Sequence, residues 1–159
     1  MSTKKTTQLD CSVAKALDVL GDYWMILIIR DLMLFQGVRR FESLREALDI
    51  SRNILTERLR ILVERGVVKR VPIAEGARRM EYRLTRKGWE LMPIILSMAH
   101  WTVKWREEQD PENYAFVDIK NKKPVRSSKV LSEDGRELGP ADMEVIPLTD
   151  SAKRYLSTF

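Results

Sequence analysis

Four polar side chains follow Ser51 at helical spacing and could form hydrogen bonds to base pairs: Arg52, Asn53, Thr56 and Arg60. Arginine and asparagine can each form two parallel hydrogen bonds, to the edges of guanine and adenine respectively. Ser51 predicts the start of the helix, because a serine hydroxyl accepts a hydrogen bond from the first helical turn. A helix that buries its leucines and exposes these side chains is shaped to enter a DNA major groove. We therefore expect DNA contacts from these four residues and from Ser51.

A second group of basic residues is expected to contact phosphates or the minor groove. Arg78 and Arg79 lie at the predicted tip of a hairpin, and Arg39 and Arg40 precede the helix pair. Residues 36–90 contain fourteen Lys and Arg against eight Asp and Glu, a net charge of +6, whereas the whole chain carries +5. The basic excess is therefore confined to this segment, as expected of a surface that binds DNA.

The composition excludes several classes of protein. The chain has 159 residues, which suits one domain with an extension. One cysteine and one histidine are too few for an internal disulfide, a cysteine or histidine metal site or a histidine-dependent triad. The N-terminus lacks the apolar core of a secretory signal, and no apolar run reaches the roughly 20 residues of a membrane span. We expect a cytoplasmic protein that is not an enzyme and needs no metal, cofactor or membrane.

The hydrophobic periodicity predicts a mainly α protein with a small β-hairpin wing. Apolar residues recur at helical spacing, and Asp22 is a suitable cap for the second helix. The predicted helices cover residues 11–20, 23–35, 41–48 and 51–66. Residues 67–73 and 80–84 predict a hairpin around the turn at 75–77. Two helices followed by such a hairpin make a winged helix-turn-helix.

The remainder of the chain predicts one long helix and a small β-rich C-terminal extension. Thr85 is expected to cap the long helix, and Pro93 to kink it because proline lacks a backbone donor. The predicted strands of the extension are residues 114–119, 125–131 and 143–148, with a turn at 133–135. The predicted domain organisation is a flexible arm at 1–10, a DNA-binding and dimerisation domain at 11–110, and the extension at 111–159.

An ordered series of landmarks runs along more than half of the chain. The landmarks are Cys11, the segment LDVLGDYW ending at Trp24, Arg30-Asp31-Leu32, Arg40-Phe41, Leu44, Ile50-Ser51, Leu55, Arg58-Leu59, Leu62, Gly66-Val67-Val68, Arg70, Glu81-Tyr82, Leu84-Thr85, Gly88 and Pro93. Each landmark is weak alone, but their order is specific. In this order they resemble the HxlR-type bacterial transcription regulators, winged-helix proteins related in architecture to MarR regulators. The chain departs from the family in the wing, where GARRMEY replaces a usual proline.

The resemblance implies a homodimeric regulator, more often a repressor than an activator, on a pseudo-palindromic operator in double-stranded DNA. Dimerisation would place two recognition helices about one DNA turn apart, roughly 34 Å. In the family the first and last helices form the dimer interface. The interface residues implied here are Leu17, Met92, Ile95, Met98, Trp101 and Trp105. A small-molecule effector fits the family, but the sequence does not identify one.

Cys11 has two interpretations. It is either a small packing residue at a helix start, which we favour, or a thiol activated by the helix N-terminus and Lys15. Several HxlR-type regulators use a similar cysteine to sense quinones, aldehydes or oxidants, so a redox-sensing or electrophile-sensing regulator is an alternative. A winged-helix protein-interaction module is another, although the basic segment argues against it. A thiol enzyme is a third, although no partner base lies near Cys11 in the sequence.

Overall fold

The computed structural model describes residues 11–105, 116–125, 129–150, 153 and 157. The chain divides into two compact units, Met1–Met92 with Leu148–Phe159, and Pro93–Pro147. The predicted arm at 1–10 lies outside the described residues, and the predicted division at residue 110 stays a prediction. Within the described part, no helix is long and apolar enough to cross a membrane.

The first unit is a winged helix-turn-helix, as predicted. Its elements are α1 (Ser12–Leu20), α2 (Tyr23–Leu34), β1 (Val38–Arg40), α3 (Phe41–Leu48), α4 (Arg52–Glu64), β2 (Val68–Pro72), β3 (Met80–Leu84) and α5 (Arg86–Trp89). The four predicted helices and both hairpin strands are confirmed with small differences at their ends. β1 was not predicted, because a three-residue strand is too short to display an alternating pattern.

The core of this unit forms around α2. Ile28, Ile29 and Leu32 have no solvent exposure, and α2 packs against α1, α3, α4 and β3. From α4, the side chains of Leu55 and Leu59 are buried against this core. Burying one such side chain stabilises the fold by about 1.5–3 kcal/mol. Because the apolar face of α4 is held against this core, the opposite face is directed toward solvent.

The sheet is antiparallel throughout, in the order β1-β3-β2. The β2–β3 hairpin pairs Val68 with Leu84, and β1 pairs with β3 from Val38 opposite Arg83 to Arg40 opposite Glu81. Because β1 runs directly into α3, the sheet connects the wing to the helix-turn-helix.

The single long helix predicted after Thr85 is wrong. The Thr85 hydroxyl accepts a hydrogen bond from the Gly88 N–H at 3.2 Å and caps only the short α5, which ends at Trp89. A new helix, α6 (Met92–Trp105), then begins with Pro93 as its second residue. A proline in the first helical turn leaves no hydrogen bond unmade, whereas in the interior it would lose one. Pro93 therefore starts a helix instead of kinking one.

Among its described residues, the second unit has little regular structure beyond α6. Its described residues contain two isolated bridges, Val117 to Pro124 and Leu131 to Glu137, and a short 3-10 helix, Pro140–Asp142. The predicted turn at 133–135 is confirmed, since the Gly135 N–H donates to the Ser132 carbonyl. The predicted strands are reduced to these bridges, and 143–148 forms none; parts of the first two predictions lie outside the described residues. An apolar pattern makes a strand only where a neighbouring strand pairs with it along its length.

Candidate nucleic-acid interface

The turn between α3 and α4 sets where α4 begins. Asp49 adopts a left-handed conformation (φ 48°), and its N–H donates to the carbonyls of Arg45 and Glu46. Ser51 then caps α4, with its hydroxyl accepting from the Ile54 N–H at 3.3 Å. The cap that the sequence predicts at Ser51 is confirmed, and the turn directs the first residues of α4 outward.

One face of α4 is exposed and is polar from Arg52 to Arg60. It carries Arg52, Asn53, Thr56 and Arg60, and the Ser51 cap is exposed beside it. The Thr56 hydroxyl donates to the Arg52 carbonyl at 2.8 Å, which fixes this side chain against its own helix. The structure thus brings together the five residues predicted to contact DNA on this helix; the contacts themselves stay a prediction.

Both arginines of this face are paired with glutamates. Arg52 Nη2 lies 2.5 Å from Glu42 Oε1, and Arg60 Nη1 lies 2.5 Å from Glu64 Oε1. The other Glu42 oxygen accepts from Arg45 Nε at 2.8 Å. Hydrogen bonds from Arg45 and Arg52 lower the pKa of Glu42. Glu42 was not predicted as part of this site, because it lies ten residues before Arg52 and the turn brings the two together.

Arg58 connects α4 to the start of α2, a contact that the sequence did not predict. Its Nε lies 3.0 Å from Asp22 Oδ2, while the other Asp22 oxygen accepts from the Trp24 and Met25 N–H groups. Partial burial raises the pKa of Asp22, but the hydrogen bonds from Arg58 and from the α2 N-terminus outweigh it and leave the pKa lowered. The predicted Asp22 cap is confirmed, and Asp22 also links the start of α2 to α4.

The wing presents a basic tip. Arg78 and Arg79 are exposed in the loop between β2 and β3, which Gly76 turns with a φ of 73°. The Ile73 N–H donates to the Arg79 carbonyl at 3.0 Å and closes the loop. This arrangement agrees with the predicted hairpin tip and leaves both guanidinium groups accessible to a phosphate backbone.

Arg39 and Arg40 point to opposite faces of β1, because successive side chains of a strand alternate between its faces. Arg40 is exposed, but only 13% of the Arg39 side chain is, and Arg39 Nε lies 3.4 Å from the buried Asp31. Arg39 also donates to the Ser43 carbonyl and stacks on the Phe35 ring. Burial raises the pKa of Asp31 against the opposing charges of Arg39 and Arg30. The prediction that Arg39 contacts DNA is therefore corrected: it connects α2, β1 and α3 inside the protein.

The helices predicted to form a dimer interface expose apolar side chains. In α1 no residue is buried, and Leu17 is 56% exposed. In α6, Met98, Trp101 and Trp105 are 48%, 67% and 63% exposed, and Met92 is half-buried. Ile95 is only 6% exposed within the single chain, and its place in a dimer interface stays a prediction.

Cys11 is exposed at the N-cap position of α1. Its carbonyl accepts from the Lys15 N–H at 3.0 Å, while its thiol forms no side-chain cap bond. In the single chain the thiol is therefore accessible, and both interpretations of Cys11 stay predictions. Among the described residues, no three His, Cys, Asp or Glu side chains are grouped as metal ligands would be.

Comparisons with known proteins agree with this geometry. A family model described as an HxlR-like helix-turn-helix matches residues 19–110. An uncharacterized HTH-type transcriptional regulator of Mycobacterium tuberculosis is 44% identical over 90 residues, which are 57% of this chain and 56% of that protein. The match therefore spans about half the length of this relative.

Solved structures extend the similarity beyond the winged helix. The structure of PA1607, titled a putative transcription factor, has a TM-score of 0.78 and 38% identity and covers 88% of this chain and 96% of that one. The redox regulator HypR in its oxidized form has a TM-score of 0.54 and 32% identity, and covers 62% of this chain and all of that one.

Proposed function

Since the chain belongs to the HxlR-like helix-turn-helix family, we propose that it is a sequence-specific DNA-binding transcription regulator, a homodimeric repressor of the cytoplasm. The observation that carries this proposal is the two-sided surface of α4. Its leucines are buried in the core, while Arg52, Asn53, Thr56 and Arg60 are exposed together. A rigidly held helix with such a face supplies what base recognition in the major groove requires.

The basic residues divide into two roles. Arg52 and Asn53, at the N-terminal end of α4, form bidentate hydrogen bonds to base edges and determine sequence preference. Arg40, Arg78 and Arg79 neutralise phosphates or enter the minor groove and supply affinity with less dependence on sequence. Their exposure on β1 and at the wing tip supports this division.

Dimerisation covers the apolar surfaces of α1 and α6. Three side chains of α6 that are 48% to 67% exposed, Met98, Trp101 and Trp105, make a solitary chain unfavourable in water. A second copy buries them and repeats the α4 helix with twofold symmetry. The operator is then pseudo-palindromic, and repression follows when the bound dimer blocks polymerase.

Selection of bound duplexes from a random-sequence DNA library tests the proposal. We expect enrichment of an inverted repeat whose half-site centres lie about 10 base pairs, one helical turn, apart. The double variant Arg52→Ala/Asn53→Ala serves as the matched control and should enrich no defined half-site. If the wild-type protein enriches no sequence, the base-recognition proposal is wrong and the protein-interaction alternative gains support.

A second candidate function, thiol-based sensing, is favoured by the exposure of Cys11. The similar HypR structure is titled a redox regulator in an oxidized form. We propose that two Cys11 thiols of a dimer form a disulfide, while an oxidant such as diamide takes up their two electrons and two protons. This bond requires the two Cα atoms to lie within about 7 Å. Diamide should release the wild-type protein from the selected duplex and spare Cys11→Ser; unchanged wild-type binding would exclude this route.

A further inference from the structure

The Glu42 carboxylate lies between two arginines, one of which is the proposed base-contacting Arg52. One oxygen accepts from Arg52 Nη2 at 2.5 Å, and the other accepts from Arg45 Nε at 2.8 Å. We propose that Glu42 is a specificity-determining positioning residue, which fixes the direction in which Arg52 presents its guanidinium group to a base pair. This inference rests on the proposed DNA-binding function and assigns a role to a residue outside the recognition helix.

Two contacts restrain the Arg52 guanidinium from different directions. Glu42 holds one edge of the planar group, and the Phe41 ring lies beneath it, 5.2 Å from ring centre to Cζ. The side chain is otherwise 64% exposed, so without these contacts it would sample many rotamers. A guanidinium that is already oriented loses less conformational entropy when it forms a bidentate bond to guanine.

The turn between α3 and α4 brings both restraining residues next to Arg52. Phe41 and Glu42 are the first two residues of α3, and Arg52 is the first residue of α4. The Arg60–Glu64 pair is different, because both partners lie on α4 at i and i+4, an ordinary arrangement along a helix surface. Glu42, by contrast, holds the Arg52 guanidinium from another helix, α3.

A carboxylate beside a DNA-contacting arginine weakens DNA binding by its charge, so a benefit from it has to come from positioning the arginine. It repels phosphates and so weakens binding to any DNA sequence. Its ion pairs are exposed, and pairs of this kind add little to folding stability. Arg45 offsets part of its charge. What Glu42 contributes is therefore the orientation of Arg52. Losing Glu42 should lower discrimination between DNA sequences and raise the affinity for DNA of any sequence.

The experiment measures the binding ratio between the duplex selected by the wild-type protein and a scrambled duplex of the same composition. For Glu42→Gln we expect this ratio to fall by about 3- to 10-fold, part of the loss on removing a bidentate contact. Affinity for the scrambled duplex should rise. Base-by-base substitution of the selected duplex should relax the preference at the same base pair that Arg52→Ala relaxes. Thermal unfolding of each variant checks that its fold is intact.

Two further variants separate geometry from charge. Glu46→Gln removes an equal charge one turn further along α3 and should leave the ratio unchanged. Glu42→Asp keeps the charge on a shorter side chain, so the ratio should fall without a gain on scrambled DNA. In an Arg52→Ala background, Glu42→Gln should cause no further loss of discrimination, because its effect acts through Arg52.

The inference is overturned if Glu42→Gln leaves the ratio unchanged or raises it, or if the loss is equal with and without Arg52. In those cases Arg52→Ala would still lose discrimination, and the proposed function would stand. A wild-type protein that selects no sequence would instead overturn the proposed function together with this inference.

Discussion

At the scale of single residues, burial divides the arginines into structural and available ones. Arg39 and Arg40 are adjacent and chemically identical, yet β1 turns the first toward Asp31 and the second to solvent. The sequence could not separate them, because the strand that imposes the alternation was itself unpredicted. Arg58 and Asp22 likewise meet only in the folded chain. Residue type therefore predicted the candidates, and tertiary contacts decided their roles.

The Asp22–Arg58 pair gives a pH-dependent prediction. The folded-state pKa of Asp22 is lowered, so its stabilising effect is complete above the unfolded-state pKa and disappears as the pH falls through the folded-state value. Asparagine caps a helix as well as aspartate does, so Asp22→Asn removes mainly the ion pair. We expect it to lower the free energy of unfolding by about 1 kcal/mol at pH 7. This difference should shrink below about pH 4, near the ordinary aspartate pKa.

Urea unfolding at a fixed protein concentration, from pH 3 to pH 7, measures this difference. Asp18→Asn removes an exposed carboxylate from α1 and controls for the change in net charge. A cost of Asp22→Asn that stays constant over the whole range would show that the ion pair is not its origin.

At the scale of helices and strands, the sequence predicted the features that depend on side-chain type and spacing within one element. The caps at Asp22 and Ser51 and the apolar face of α4 follow from side-chain type and spacing, and all three are confirmed. The break between α5 and α6 was missed, because Pro93 fits a kinked helix and a helix start equally well in sequence. The strands of the extension were over-predicted, because their pairing depends on neighbours that the pattern does not reveal.

The exposed face of α6 predicts that oligomerisation depends on this helix. Trp101→Asp places a charge on a side chain that is 67% exposed in the single chain and is proposed to be buried in the dimer. We expect monomers or aggregates at concentrations where the wild-type protein is dimeric, because burying an unpaired carboxylate is costly. Sedimentation velocity measures the outcome.

Val145→Asp makes the same change at an apolar residue that is 80% exposed but lies outside the proposed interface. It should leave the dimer intact. A dimer that survives Trp101→Asp with unchanged affinity would contradict the assignment of α6 to the interface.

At the scale of the whole molecule, chain topology assembles the candidate site from separate segments. The turn at residues 49–51 brings Glu42 to Arg52, and the hairpin carries Arg78 and Arg79. The fold class was predictable, because its helices and wing each have a local signal. The outward face of α4 was predictable for the same reason. The partners of Arg39, Arg52 and Arg58 were not, since they lie on other elements and no spacing in the sequence encodes such contacts.

The most direct test of the central claim is a salt-dependent comparison of Arg52→Ala with Arg78→Ala on the selected and scrambled duplexes. Arg52→Ala should cost about 1–3 kcal/mol on the selected duplex and much less on the scrambled one. Arg78→Ala should weaken both duplexes similarly and reduce the slope of log affinity against log salt by about one. Equal losses on both duplexes for Arg52→Ala would contradict the claim that α4 reads base sequence.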